Sequence, residues 1–124
     1  MERCHRLNRS ADFERVRREG RSWHHRLLFL SASPNGLERS RFGFIVSRRV
    51  GSAVVRNRVK RRLREVVRRH LGEIPRGWDV VLVARPPIAG AKFSEIEEAF
   101  TELLRRARPW LSAPEAAVKG LAAG

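Results

Sequence analysis

The sequence predicts an α+β domain in which strands and helices share one core, and three observations carry that prediction. Apolar residues recur at helical spacing over residues 54–70 and again over 96–104. Short runs at 27–32, 41–46 and 79–84 alternate or stay almost wholly apolar, as strands do. Clusters of Gly, Pro, Asn and Ser separate these segments. A chain of 124 residues buries about two thirds of its unfolded surface on folding, enough for a core without disulfide or metal support.

Residues 1–9 are basic and unpatterned and read as an arm; residues 10–108 form the domain and residues 109–124 a flexible tail rich in Ala, Gly and Pro. Ser10 is placed to cap a helix over 11–19, Asp12 and Glu14 suit its positive end, and Gly20 suits its termination. Phe13 and Val16 share one face of that helix, with Arg17 beside them. The run 27–32 is a strand, Ser33-Pro34-Asn35-Gly36 a turn, and 41–46 a second strand with Phe42, Phe44 and Val46 opposite Gly43 and Ile45. An antiparallel hairpin is expected of the two runs. The stretch 21–26, with Trp23 inside it, either lengthens the first strand or forms a short one of its own. Gly51 or Ser52 leads into the second helix. The run 79–84 reads as a central strand covered on both faces. Ser94 and Glu97 suit a capping box for a last helix through about Ala107, with Ile96, Phe100, Leu103 and Leu104 on its apolar side.

The second helix carries the strongest functional signal. Val55, Val59, Leu63, Val66 and Val67 form its apolar stripe, while Asn57, Arg61, Arg64 and Arg68 hold the opposite side. Arg56, Arg58, Lys60, Arg62 and Arg69 flank them, and Glu65 is the lone acid. Ordinary solvated helices mix signs; here neighbours three and four apart repel, a cost that a polyanionic partner removes. The whole chain agrees, with 27 Lys and Arg against 13 Asp and Glu for a net charge of +14. Nucleic acid and anionic membrane are both polyanions, but the apolar stripe is wanted by the sheet, and no run is long enough to span a bilayer. No apolar leader segment follows Met1, so a cytoplasmic protein is expected. Cys4 is the sole cysteine, and the four histidines have no partners at metal-ligand spacing. Adjacent His24 and His25 would point to opposite sides of a strand. Catalysis by groups of this chain is not expected.

The segment from Phe42 to Arg64, FGFIVSRRVGSAVVRNRVKRRLR, resembles the signature of the bacterial ribonuclease P protein component, including its Arg-Asn-Arg motif at Arg56, Asn57 and Arg58. Residues 7–20 with Asp12-Phe13, the expected hairpin and residues 79–85 match in order, so the resemblance spans about residues 5–107. It implies a single domain with a mixed four-stranded sheet, three helices and a left-handed parallel crossover, similar to a domain of ribosomal protein S5. Because that architecture also occurs in ribosomal proteins and translation factors, fold alone leaves open a ribosomal or assembly role.

The resemblance further implies an accessory subunit of a ribonucleoprotein endonuclease. Its partners would be the catalytic RNA and precursor tRNA, with no membrane and no obligate protein partner; Mg²⁺ would serve the RNA-containing holoenzyme rather than a protein metal site. Arg48, Arg49, Arg56, Asn57, Arg58, Lys60, Arg61, Arg64 and Arg68 would face the catalytic RNA. Phe13, Arg17, Leu28, Leu30 and Arg85 would line the cleft for the 5′ leader. Two departures from the family pattern bear on that cleft: Arg17 stands where many relatives have an aromatic, and Leu28 and Leu30 lie near a position often held by Tyr. Guanidinium stacking would then replace part of an aromatic contact.

Overall fold

The almost continuous apolar run at 79–84 needs cover on both faces of a sheet, and the chain supplies helices on both. The computed structural model describes residues 6–7 and 10–112. Its elements are α1 (Ser10–Glu19), β1 (Arg21–His24), β2 (Leu28–Pro34), β3 (Arg41–Ile45), α2 (Ala53–Arg69), β4 (Trp78–Ala84) and α3 (Phe93–Leu111). Short 3₁₀ turns at Arg48–Val50, Leu71–Glu73 and Pro86–Gly90 join them.

The sheet has the order β1-β2-β4-β3. The stretch around Trp23 is therefore a strand of its own, antiparallel to β2. The hairpin expected between the 27–32 and 41–46 runs does not form. Instead β4 lies between them, antiparallel to β2 and parallel to β3. The reason lies in β4 itself: Val80 and Leu82 on one face and Val81 on the other are at most 2% exposed, cover that only a central position provides. The connecting loop is likewise drawn toward β4. The Ser40 hydroxyl donates to the Pro75 carbonyl (2.7 Å) and accepts from the Trp78 backbone N–H (3.0 Å).

One face of the sheet is the main core, where Leu28, Leu30, Phe42 and Leu82 meet Val59, Leu63 and Val66 of α2 and Ile96, Phe100 and Leu103 of α3. Ser52 caps α2, its hydroxyl accepting from the Val55 N–H at 3.3 Å. The capping box of α3 falls two residues earlier than Ser94 and Glu97 suggest: Glu95 accepts from the Lys92 N–H at 2.8 Å. The helix also continues through Pro109 to Leu111, where the Leu111 carbonyl accepts from the Trp78 indole (3.1 Å) and Trp110 lies against the Trp78 ring. Residues 109–111 thus belong to the domain rather than to a tail; residues 113–124 lie outside those described.

The opposite face carries a smaller cluster of Val16, Val81 and Leu7. Within the basic arm, Leu7 docks on the sheet, its N–H donating to the Phe42 carbonyl (2.8 Å), and Arg6 makes a parallel bridge on the free edge of β3. Cys4 and His5 fall outside the described residues. Gly20 ends α1 by close approach: a Cβ there would meet carbonyl oxygens of Val16 and Ala32 at about 2.5 Å or less.

Candidate nucleic-acid interface

The α2 surface divides its cations into free and committed groups. Arg48 and Arg49 stand exposed on the 3₁₀ turn before the helix, and Asn57 and Arg61 are exposed along it. Arg58 and Arg62 instead donate to the Ala89 carbonyl (3.3 Å) and the Ala91 carbonyl (3.0 Å), clamping the segment before α3 onto α2. The second arginine of the Arg-Asn-Arg motif is thus turned inward. Arg56 and Arg58 each bury an Nε without a hydrogen-bond partner in the protein. Arg64 lies 6.0 Å from the centroid of the Phe44 ring, and Lys60 reaches a groove described below. Arg68 is paired with Glu65, its Nε donating at 2.9 Å. That hydrogen bond holds the Glu65 carboxyl below its ordinary range and raises the Arg68 guanidinium. A phosphate at Arg68 has to compete with Glu65.

On the other face, strand alternation settles which side chains look outward. Leu28 and Leu30, assigned to the leader cleft from the sequence, are 0% and 1% exposed in the main core and cannot line a cleft. Their neighbours Phe29 and Ser31 point the other way. Phe29 pairs in register with Val83, and Val83 with Ile45. These three partly buried apolar residues floor the open part of this face. The signal was present in the sequence, because period-two alternation puts residue 29 opposite residues 28 and 30.

Phe13 takes its place here through a missing side chain. A Cβ on Gly43 would come within 2.3 Å of the Phe13 ring, so the ring rests directly on the β3 backbone. It lines an open groove of about 400 Å³ with Ser10, Glu14, Phe44, Ile45, Val46 and Lys60. Arg17 is exposed one helical turn beyond Phe13, and Arg85 is exposed where β4 ends.

A buried ionic node, hidden in the sequence by the apolar run it begins, fixes α1 on the sheet. Asp79 has no solvent exposure. It accepts from Arg41 Nε (2.9 Å) and Nη2 (2.7 Å), from the Asn35 amide (3.0 Å) and from Arg15 of α1. These hydrogen bonds fill the carboxylate's acceptor positions, and the bond to Asp79 outweighs burial in raising the Arg41 pKa. Among the described residues no group of three or more His, Cys, Asp or Glu is placed to hold a metal ion. Asp79, Glu65 and Glu97 in particular fit Mg²⁺ poorly, since Asp79 is enclosed by guanidinium and amide groups, while Glu65 and Glu97 already face arginines.

A surface with free guanidinium groups on one side and an apolar, cation-rimmed floor on the other suits a chain that has both phosphates and bases, which defines a nucleic-acid-binding protein. The comparisons specify which kind. The ribonuclease P family model matches residues 1–108, and the chain belongs to that family. The ribonuclease P protein component of Roseiflexus castenholzii is 46% identical over 108 residues, 86% of this chain and 88% of that protein. The Staphylococcus aureus RNase P protein superimposes with a TM-score of 0.78 at 30% identity, over 83% of this chain and 94% of that one. The Thermotoga maritima protein gives 0.75 at 34% identity, over 82% and 96%. The chain is accordingly the accessory, non-catalytic protein subunit of ribonuclease P, acting with RNA to process the 5′ ends of precursor tRNA.

Proposed function

We propose that the two faces divide the work. The free cations of α2 and the preceding turn, Arg48, Arg49, Lys60, Arg61 and Arg64 with Asn57, dock on the catalytic RNA. The α1 face of the sheet, with Phe13, Phe29, Ile45 and Val83 as floor and Arg17 and Arg85 as rim, takes the single-stranded leader. One observation carries this reading: the Lys60 groove joins the faces at the edge of β3, so a strand leaving the RNA-docked helix meets Phe13 first. Arginine forks onto phosphate oxygens and lysine supplies a compact charge, while aromatic faces stack on bases without demanding a sequence. Mg²⁺ serves the hydrolysis within the RNA partner. This chain's contribution is to hold the RNA fold and the leader in place, in the cytoplasm where tRNA matures.

Reconstitution tests it. The purified chain, a bacterial ribonuclease P RNA and a 5′-extended precursor tRNA are combined at low Mg²⁺. Cleavage is expected only when protein and RNA are both present, and cleavage by the protein alone sinks the assignment. RNA binding should also fall steeply with salt. With about five phosphates neutralised, a fourfold increase in salt costs about two to three powers of ten in association constant. An almost flat response excludes backbone contact through α2.

A further inference from the structure

Six phenylalanines occur in the chain, and five have a packing role in one of the two cores. Phe29 is the exception. It is half-buried on the α1 face, belongs to neither apolar cluster, and has the exposed ring of His24 beside it at a centroid distance of 5.0 Å and an angle of 31°. His24 is held there by its backbone, whose carbonyl accepts from Arg106 of α3 at 2.8 Å. Its neighbour His25 is used differently, with Nδ1 accepting from the Leu27 N–H and Nε2 facing Glu102 at 3.4 Å.

The register places His24 in line with the leader floor. His24 pairs with Phe29, Phe29 with Val83, and Val83 with Ile45, so one row crosses all four strands on the α1 face. Four strands span about 14 Å from first to last. The Ile45 end opens into the groove with Phe13 and Lys60; the His24 end pairs the exposed His24 ring of the edge strand β1 with the half-buried Phe29 of β2.

We infer that the His24–Phe29 pair is a stacking subsite for a leader nucleotide, at the end of the track furthest from the cleavage site. The inference rests on the leader lying on this face. Its occupant is single-stranded RNA because the row is apolar along its floor and carries Lys60 at its α2 end, a pattern that suits bases on rings and phosphates at the margin. The order follows from position. The β3 edge adjoins the RNA-docked helix, so a leader crossing the row passes Phe13 before it reaches β1.

The test uses holoenzyme reconstituted with a bacterial ribonuclease P RNA, and precursor tRNAs whose leaders are shortened stepwise. Substrate dissociation constants are measured without turnover for His24→Ala, Phe29→Leu, His24→Phe and Phe13→Ala. With the longest leader, His24→Ala and Phe29→Leu should weaken binding by at least about fivefold, and His24→Phe should restore it. These losses should vanish as the leader shortens while the Phe13→Ala loss persists to shorter lengths. Losses equal on leaderless tRNA, or no loss beside a leader-dependent Phe13→Ala effect, overturn the His24 subsite and leave the leader face standing. A Phe13→Ala effect independent of leader length removes both. Thermal unfolding of each variant separates binding from stability, since the exposed His24 ring can be truncated without opening a cavity.

Discussion

Asp79 shows what one residue decides in this protein. Its carboxylate is enclosed by Arg15, Arg41 and Asn35, so truncating it strands two guanidinium groups that are only about a quarter exposed. Asp79→Ala should cost about 3 kcal/mol of stability, the low end for breaking a buried ion pair, read as a lowered urea midpoint; a midpoint within error of wild type contradicts the anchoring role. The arginines of α2 separate by what they already hold. Charge reversal at Arg61 and Arg64 should weaken holoenzyme assembly and cleavage by more than tenfold, on the order of 1.4 kcal/mol or more, while shifting stability by about 1 kcal/mol or less. Arg58→Gln should lower stability through the lost Ala89 tether yet leave the salt slope of RNA binding unchanged. A slope reduced by about 0.7–0.9 in Arg58→Gln would instead count Arg58 among the phosphate contacts.

At the scale of elements, the meeting of α1 with β3 is the sensitive joint. Phe13 reaches its position only because residue 43 has no Cβ. Gly43→Ala should push the ring and α1 away from the sheet, at a cost of about 1–3 kcal/mol, and reduce affinity for leader-bearing substrate more than for leaderless tRNA. Equal affinity loss on both substrates rejects the link between this contact and the leader. The α2 helix was readable in advance because its period and its charge excess are local properties of consecutive residues. The α1 face is only half legible: the sequence puts Phe13 and Arg17 on one side of α1, but it does not tell that Phe29, rather than Leu28 and Leu30, points to this face of the sheet. Alternation says which residues share a side, but not which side meets the larger core.

Across the whole molecule, α2 and α3 are joined at His70, whose Nε2 lies 3.1 Å from Glu97 while Nδ1 contacts Glu73. Arg69 also pairs with Glu97 (3.3 Å), and Arg108 approaches Glu73 (3.9 Å). Burial opposes the charged imidazole, but hydrogen bonds to the two carboxylates and their charge outweigh it and raise His70 above its ordinary value of 6.5. The native state therefore keeps this proton to higher pH than the unfolded chain does. Its stabilisation is fully present below pH 6.5 and is lost as pH rises through the raised native value. Urea unfolding followed across that window should show stability falling in wild type and a flatter profile in His70→Gln. Identical profiles would remove His70 as the source.

Much of the protein was determined by the sequence alone: an α+β chain, a basic α2 with one apolar stripe, a buried run at 79–84, and the Arg-Asn-Arg signature that marks its family. Each is a periodicity, a composition or a motif, expressed within a few neighbouring residues. Tertiary structure alone decided that β4 separates β2 from β3, that Arg58 and Arg62 clamp backbone while Arg61 stays free, and that His24, Phe29, Val83 and Ile45 form one row. Those outcomes depend on which strand competes best for the central position and on groups 38 to 64 residues away from Asp79 meeting at its carboxylate. Pairing between distant segments is governed by burial over the entire sheet, and no local pattern encodes it.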